Sequence, residues 1–228
     1  MVYLIATPIG DTQEITLRAL EILKQTQHIL CESTKETSKL LRQHSLTNKT
    51  YHILNEHSTE ADLLELTALC ESQDVALVSD CGTPGFCDPG NDLIRMCRQK
   101  NIAIRSVLGP SSLMGILSLT SQRLPQFHFA GFPPAESDSR QQWFGKLKHQ
   151  TNAIILMDTP YRLRKLVSEL KEFFPQRRAL LVCNLSQENE EQHEGLPADI
   201  EKSLRAEKAE FMALVYPTAP PHPKRLSG

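Results

Sequence analysis

The sequence predicts an α/β fold of two α/β domains, and three observations predict it. Short apolar runs alternate with helical patterns through the first half of the chain. One such run, Val75–Val78, opens directly into a loop, Ser79 to Gly90, with three glycines and two prolines in twelve residues. The rhythm then changes around Gly109-Pro110, which marks a boundary between a first domain, 1–109, and a second, 110–217. Alternating strand and helix implies parallel strands joined by right-handed crossovers.

In chain order, the strand-like runs of the first domain are Val2–Ala6, Ile29–Cys31, Tyr51–Leu54, Val75–Ser79 and Ile102–Val107. Between them lie helical patterns at Leu17-Leu20-Ile22-Leu23, Leu40-Leu41, Leu63-Leu64-Leu66-Leu69 and Leu93–Cys97. Apolar positions three and four apart mark most of these as amphipathic. Asp11 and Thr12 are placed to cap the first helix, and Thr59 with Asp62 to open the third. The second domain reads as helix Ser111–Ser121, strand Phe127–Ala130, helix Ser139–Lys148, strand Ala153–Met157, helix Tyr161–Phe173, and strands Ala179–Asn184 and Phe211–Tyr216. The run Glu188–Glu194, dominated by glutamates, reads as a solvated loop. The tail 218–228 is rich in proline and poor in apolar residues, so a loose segment is expected there.

The loop after Val78 is the most informative stretch. Strand, glycine loop and helix put bare backbone at the carboxyl end of a parallel sheet, where α/β proteins bind ligands. Such connections usually need about 2–6 residues, so this longer one marks a ligand loop. It carries no Lys after its glycines and no G-x-G-x-x-G, so neither a nucleoside triphosphate nor a nicotinamide dinucleotide is indicated. Asp80, Thr83 and Asp88 offer acceptors and one hydroxyl, which suits a ligand rich in donors or positive charge.

Composition bounds the rest. The 228 residues are 40% hydrophobic and 23% charged, ordinary for a soluble globular chain. A net charge of −2 provides no global field for nucleic acid or anionic membrane. No apolar stretch reaches the roughly 18 residues of a membrane span, and Met1–Ile5 lacks the pattern of a signal peptide. The six cysteines form no C-x-x-C and mostly sit in or beside apolar runs, as reduced packing residues of a cytoplasmic protein do. The eight histidines show no ligand spacing, so no metal is expected, and no nucleophile–base set for covalent catalysis can be assembled.

Further motifs sit at strand ends. Ala6-Thr-Pro-Ile-Gly10 stops the first strand and Glu32-Ser-Thr-Lys35 the second, where Ser33 or Thr34 also fits a helix cap. Gly109-Pro-Ser-Ser112 reads as a helix start whose amides and hydroxyls suit a carboxylate. Asp158-Thr-Pro-Tyr-Arg162 follows a strand, with Pro160 placed as a first-turn proline and Arg162 within reach of a substrate.

The ordered set TPIG, SDCGTPGFCDPG, GPSS and DTPYR, with GFPP between the last two, resembles the methyltransferases of the tetrapyrrole-methylase fold. Within them it is most similar to the branch that methylates a ribose 2′-hydroxyl of small-subunit ribosomal RNA. The resemblance spans about residues 1–217, and the glycine loop and the ITLRALEILK helix after TPIG are its most specific parts. It implies S-adenosylmethionine bound between two α/β domains, an RNA partner and a homodimer. Matched motif by motif, it implies cofactor contacts from Pro8, from Asp80, Gly82, Thr83 and Phe86, from Ser111 and Ser112, and from Met157, Thr159 and Pro160.

Departures from the family pattern fall mainly on the substrate side. AEDTR is replaced by Cys31-Glu-Ser-Thr-Lys35, ARELTK by Val182-Cys-Asn-Leu-Ser-Gln187, and YESPHR by Met157-Asp-Thr-Pro-Tyr-Arg162. The sequence also stops before the extra small helical domain in which the family commonly ends. Methyl transfer to a ribose hydroxyl needs a general base, and Glu32 and Asp80 are the strand-end carboxylates for it, each equally suited to a cap or a cofactor contact. Lys35 and Arg162 are the substrate-side cations, within a wider basic set of Lys39, Arg42, Arg140, Lys146 and Arg164. Two other readings stay open: a methyltransferase of this fold acting on a small molecule such as a tetrapyrrole, and a non-catalytic module that binds S-adenosylmethionine.

Overall fold

The computed structural model describes residues 1–218. The expected loose tail lies outside the described residues except for Thr218, whose amide donates to the Thr151 carbonyl at 3.1 Å. The chain divides into two compact units, Met1–Ser111 and Ser112 onward.

The first unit runs β1 (Val2–Ile5), α1 (Leu17–Gln25), β2 (His28–Cys31), α2 (Thr34–Gln43), β3 (Thr50–Ile53), α3 (Glu60–Ser72), β4 (Val75–Val78), α4 (Asn91–Gln99) and β5 (Ile104–Val107). Its five strands are all parallel, in the order β3-β2-β4-β1-β5. Alternation along each strand fills both faces. Ala76 and Val78 join Ile5, Leu23 and Ile29 on one side, while Val75 and Leu77 join Val2, Leu93 and Cys97 on the other. The helix starts are fixed by side-chain caps. Thr16 accepts from the Ala19 amide, Ser33 from the Glu36 amide, and Thr59 with Asp62 forms a reciprocal capping box. Asp11 and Thr12 were expected to open α1. Instead Asp11 caps a separate 3-10 turn, Thr12–Glu14, because the turn needs its own acceptor before the chain reaches Thr16.

The second unit runs α5 (Ser112–Ser118), β6 (Phe127–Gly131), α6 (Ser137–Leu147), β7 (Ala153–Asp158), α7 (Leu163–Phe173), β8 (Ala179–Cys183), β9 (Glu191–Gly195), α8 (Pro197–Ser203) and β10 (Phe211–Val215). Its sheet is mixed, in the order β6-β7-β10-β8-β9, with β6 and β7 parallel and the remaining pairs antiparallel. The glutamate-rich run expected as a loop forms most of β9, whose Glu191 pairs with Cys183 and Gly195 with Ala179. An edge strand needs only one hydrogen-bonded neighbour, and charged side chains protect its free edge. Its composition therefore imitates a loop. The short helix α8, opened by Pro197, had no periodic signal long enough to predict it.

Arg140, counted among the RNA-facing cations, is corrected by the structure: its side chain is 1% exposed. Its Nε and Nη2 donate to the two oxygens of Glu169, each at 2.7 Å, and Nη2 also donates to Asp158 Oδ2 at 2.6 Å. Nη1 donates to the Pro134 carbonyl at 3.3 Å. The planar guanidinium thus ties α6, the end of β7 and α7 together, which a single ammonium could not do. Removing it would strand two buried carboxylates. Arg140→Met should lower the unfolding free energy by about 3–5 kcal/mol, read as a drop in urea midpoint. Arg140→Lys should recover only part of that loss, and recovery to the wild-type midpoint would contradict the role of the fork.

Candidate active site

Parallel strands bring all five carboxyl ends of the first sheet to one edge. The ends of β1 and β4 are tied there by a reciprocal backbone pair. The Thr7 amide donates to the Gly82 carbonyl at 2.8 Å and the Gly82 amide to the Thr7 carbonyl at 3.1 Å. The buried Thr7 hydroxyl donates to the Ser79 carbonyl at 3.1 Å, and the Ser79 hydroxyl to the carbonyls of Cys81 and Gly82, each at 3.2 Å. Gly82 holds φ +80, a left-handed conformation that a side chain would strain. Glu14 steadies the neighbouring TPIG loop by accepting from the Ile9 amide at 3.0 Å.

The GPSS turn meets the same edge. A Cβ on Gly109 would lie 3.0 Å from that of Ala6, so the turn passes the end of β1 at a distance that would crowd any side chain. The Thr83 hydroxyl donates to the Pro110 carbonyl at 3.0 Å, joining the glycine loop to this turn. Ser111 ends the first unit at this turn.

Three carboxylates gather at the edge. The Asp80 amide donates to Glu32 Oε1 at 3.4 Å. Burial pushes the Glu32 carboxyl above its usual range, and the charges of Asp88, Asp80 and Glu56 add to the rise. Desolvation likewise raises Asp80, helped by Glu36, and raises Asp88, helped by Asp80. A bond from the Ser79 hydroxyl partly offsets the rise at Asp88. Mutual repulsion and lost water both resist ionisation, so the cluster has an unmet demand for positive charge. Asp88 was read from the sequence only as a loop acceptor. Its place inside the Cys87-Asp-Pro-Gly90 turn was the available signal for a larger role.

Two cavities flank this cluster in the first unit. The larger, about 690 Å³, is lined by Glu32, Asn55, Glu56, Ser58, Cys87 and Asp88 among others. The smaller, about 150 Å³, is lined by Pro8, Ile9, Glu36, Lys39, Asp80 and Cys81 among others. Pro8, Glu32, Asp80, Gly82 and Thr83 are therefore brought together. Phe86 lies in the same loop and is half exposed, and Lys35 stands exposed in the first turn of α2. The asparagine, serine and glutamate contributed by residues 55–58 were missed, because β3 carries no motif that distinguishes its end from an ordinary turn.

In the second unit, the Met157-to-Arg162 segment follows β7. Asp158 is nearly enclosed; its Oδ1 accepts from the Thr159 amide at 2.8 Å and lies 3.4 Å from Arg162 Nη1. Pro160 opens a 3-10 turn, closed by the Arg162 amide on the Thr159 carbonyl at 2.9 Å. The Asp158 carboxylate therefore holds both the turn and Arg162, while Met157 is partly buried at the strand end. Ser112 opens α5 in this unit.

The family model described as Tetrapyrrole (Corrin/Porphyrin) Methylases matches residues 1–201. A protein of Neisseria meningitidis serogroup B named Ribosomal RNA small subunit methyltransferase I is 32% identical over 219 residues, 94% of this chain and 75% of that one. A protein of the same name from Coprothermobacter proteolyticus is 33% identical over 219 residues, 96% of this chain and 98% of that one. Among solved structures, diphthine synthase superposes with a TM-score of 0.76 at 13% identity, covering 96% of this chain and 91% of its own. Uroporphyrin-III C-methyltransferase of Thermus thermophilus, solved with S-adenosyl homocysteine, gives 0.63 at 16%, covering 94% and 96%. These distant structures share the fold. The family match across most of the length, joined to sequence identity above 30% along nearly the whole chain, makes this chain a member of the tetrapyrrole methylase family of methyltransferases.

Proposed function

We propose that this chain uses S-adenosylmethionine to methylate a ribose 2′-hydroxyl in small-subunit ribosomal RNA. The observation that carries the reading is the sequence identity, along almost the whole chain, with relatives named as small-subunit ribosomal RNA methyltransferases. The site chemistry agrees with the cofactor. A crowded set of carboxylates with raised pKa values at a backbone-lined strand edge suits a molecule carrying both a sulfonium and an ammonium. A phosphate would be repelled by the same set. When bound, S-adenosylmethionine supplies an electrophilic methyl group.

In this reading Pro8, Asp80, Gly82, Thr83, Phe86, Ser111 and Ser112 hold the cofactor, with Met157, Thr159 and Pro160 completing its contacts. Glu32 accepts the proton of the ribose hydroxyl as the methyl is transferred in line. A carboxylate raised toward the working pH makes a better base than an ordinary one. Lys35 and Arg162 face the RNA. The rest of the rate comes from positioning, worth up to about 7–11 kcal/mol in well-oriented reactions. A cytoplasmic homodimer belongs to the same reading, and sedimentation of the purified chain tests the dimer.

Calorimetric titration with S-adenosylmethionine checks the cofactor assignment. Micromolar-range binding is expected for wild type, with at least tenfold weaker binding in Asp80→Asn and none detectable in Gly82→Val. Matching thermal melts of wild type and Asp80→Asn keep a folding defect apart from a binding defect. Wild-type affinity in Asp80→Asn would remove Asp80 from the cofactor site.

The pH dependence follows from the direction of the shift. Glu32 works as a base only when ionised, and its folded pKa is raised. Turnover should therefore fall as pH drops, with a midpoint above the ordinary carboxylate range. Glu32→Gln should lose at least about 100-fold in kcat while keeping cofactor affinity. An unchanged pH profile in Glu32→Gln would assign the base elsewhere.

A further inference from the structure

Tyr161 is an unusual side chain for its place. It sits in the turn after β7 and is 79% exposed, more than any other large aromatic in the described residues. Its backbone is nevertheless stiff, because Pro160, the Thr159–Arg162 hydrogen bond and the buried Asp158 carboxylate fix the turn. The turn therefore presents the ring at a fixed place on the surface.

One cation rests on that ring. Lys208 Nζ lies 3.8 Å from the ring centroid, within cation–π range. The nearby ammonium also draws the phenol's pKa downward. Lys208 is itself held close by its segment. Arg164 Nη2 donates to the Arg205 carbonyl at 3.2 Å and to Glu207 Oε1 at 2.9 Å, fastening residues 205–207 beside the start of α7.

The local charges favour an anion. Arg162 faces the Asp158 carboxylate and Arg164 engages Glu207. Arg205 and Lys208 are exposed with no acidic partner among the ion pairs of the described residues, and Glu210 is the remaining exposed acid of the segment. A flat, sequence-tolerant aromatic surface beside uncompensated cations is the composition that single-stranded nucleic acid contacts use.

We propose that Tyr161 and Lys208 form a contact for single-stranded RNA, an unpaired base stacking on the ring face turned away from Lys208 and a phosphate meeting the Lys208 ammonium. The inference rests on the RNA-substrate reading above and adds the residues by which the second unit engages it. An unpaired base is required because bases within a duplex keep their faces stacked on one another.

The test uses the full chain. Binding of a fluorescein-labelled single-stranded RNA of mixed sequence is measured by anisotropy across a salt series, with S-adenosylmethionine affinity and methyl transfer to small ribosomal subunits measured alongside. Tyr161→Ala should weaken RNA binding about tenfold and raise KM for the subunit by a similar factor, with cofactor affinity unchanged. Tyr161→Phe should behave as wild type, because the ring does the work. Lys208→Ala should reduce the slope of log affinity against log salt by about one. Wild-type RNA affinity in Tyr161→Ala, with methyl transfer intact in the wild type, would overturn this inference alone. Failure of the wild type to bind RNA while still binding the cofactor would overturn both this inference and the RNA reading. Equal weakening for duplex and single strand would also overturn it, since stacking would then not be the source.

Discussion

The reciprocal backbone pair between Thr7 and Gly82 is the constraint on which the first unit's site depends. It crosses from the end of β1 to the loop after β4, so the glycine loop is pinned to the sheet instead of swinging over it. Glycine is required at position 82 because the pairing demands a left-handed backbone. The buried Thr7 and Ser79 hydroxyls then donate to the Ser79 and Cys81 carbonyls of the sharp turn. Once the loop is fixed, Asp80 must stand next to Glu32, and Asp88 must fold back toward both. Gathered and partly buried there, all three carboxyls lie above their usual range.

The second unit relies on a different device. Its fixed point is a guanidinium enclosed between two carboxylates, with a third element held through the Pro134 carbonyl. Such a buried cluster contributes little net stability when intact and costs much when one member is lost. Its value here is orientation: Asp158, locked by Arg140, fixes the turn that presents Tyr161 and Arg162.

Much of this was legible in the sequence where physical constraints are local. The β4 run and the twelve-residue loop announced themselves because parallel strands are apolar on both faces and long glycine loops are rarely mere connections. The Thr59–Asp62 capping box and the first-turn Pro160 were equally readable, since each depends on residues only a few positions apart. What failed depended on distant partners. Nothing near Arg140 in sequence says that residues 158 and 169 will enclose it, so a buried structural cation looked like a surface one. Nothing within Glu191–Gly195 says that Ala179–Cys183 will pair with it, so an edge strand looked like a loop. The pairing of Lys208 with Tyr161 spans 47 positions and was invisible for the same reason.

In the proposed reaction, methyl transfer ends on a ribose oxygen of small-subunit RNA. It is tested most directly by incubating the purified chain with small ribosomal subunits and methyl-labelled S-adenosylmethionine, then digesting the RNA to nucleosides. The label should elute with a single 2′-O-methylated nucleoside. Label on a base, or none on RNA while a small-molecule acceptor takes it up, would contradict it.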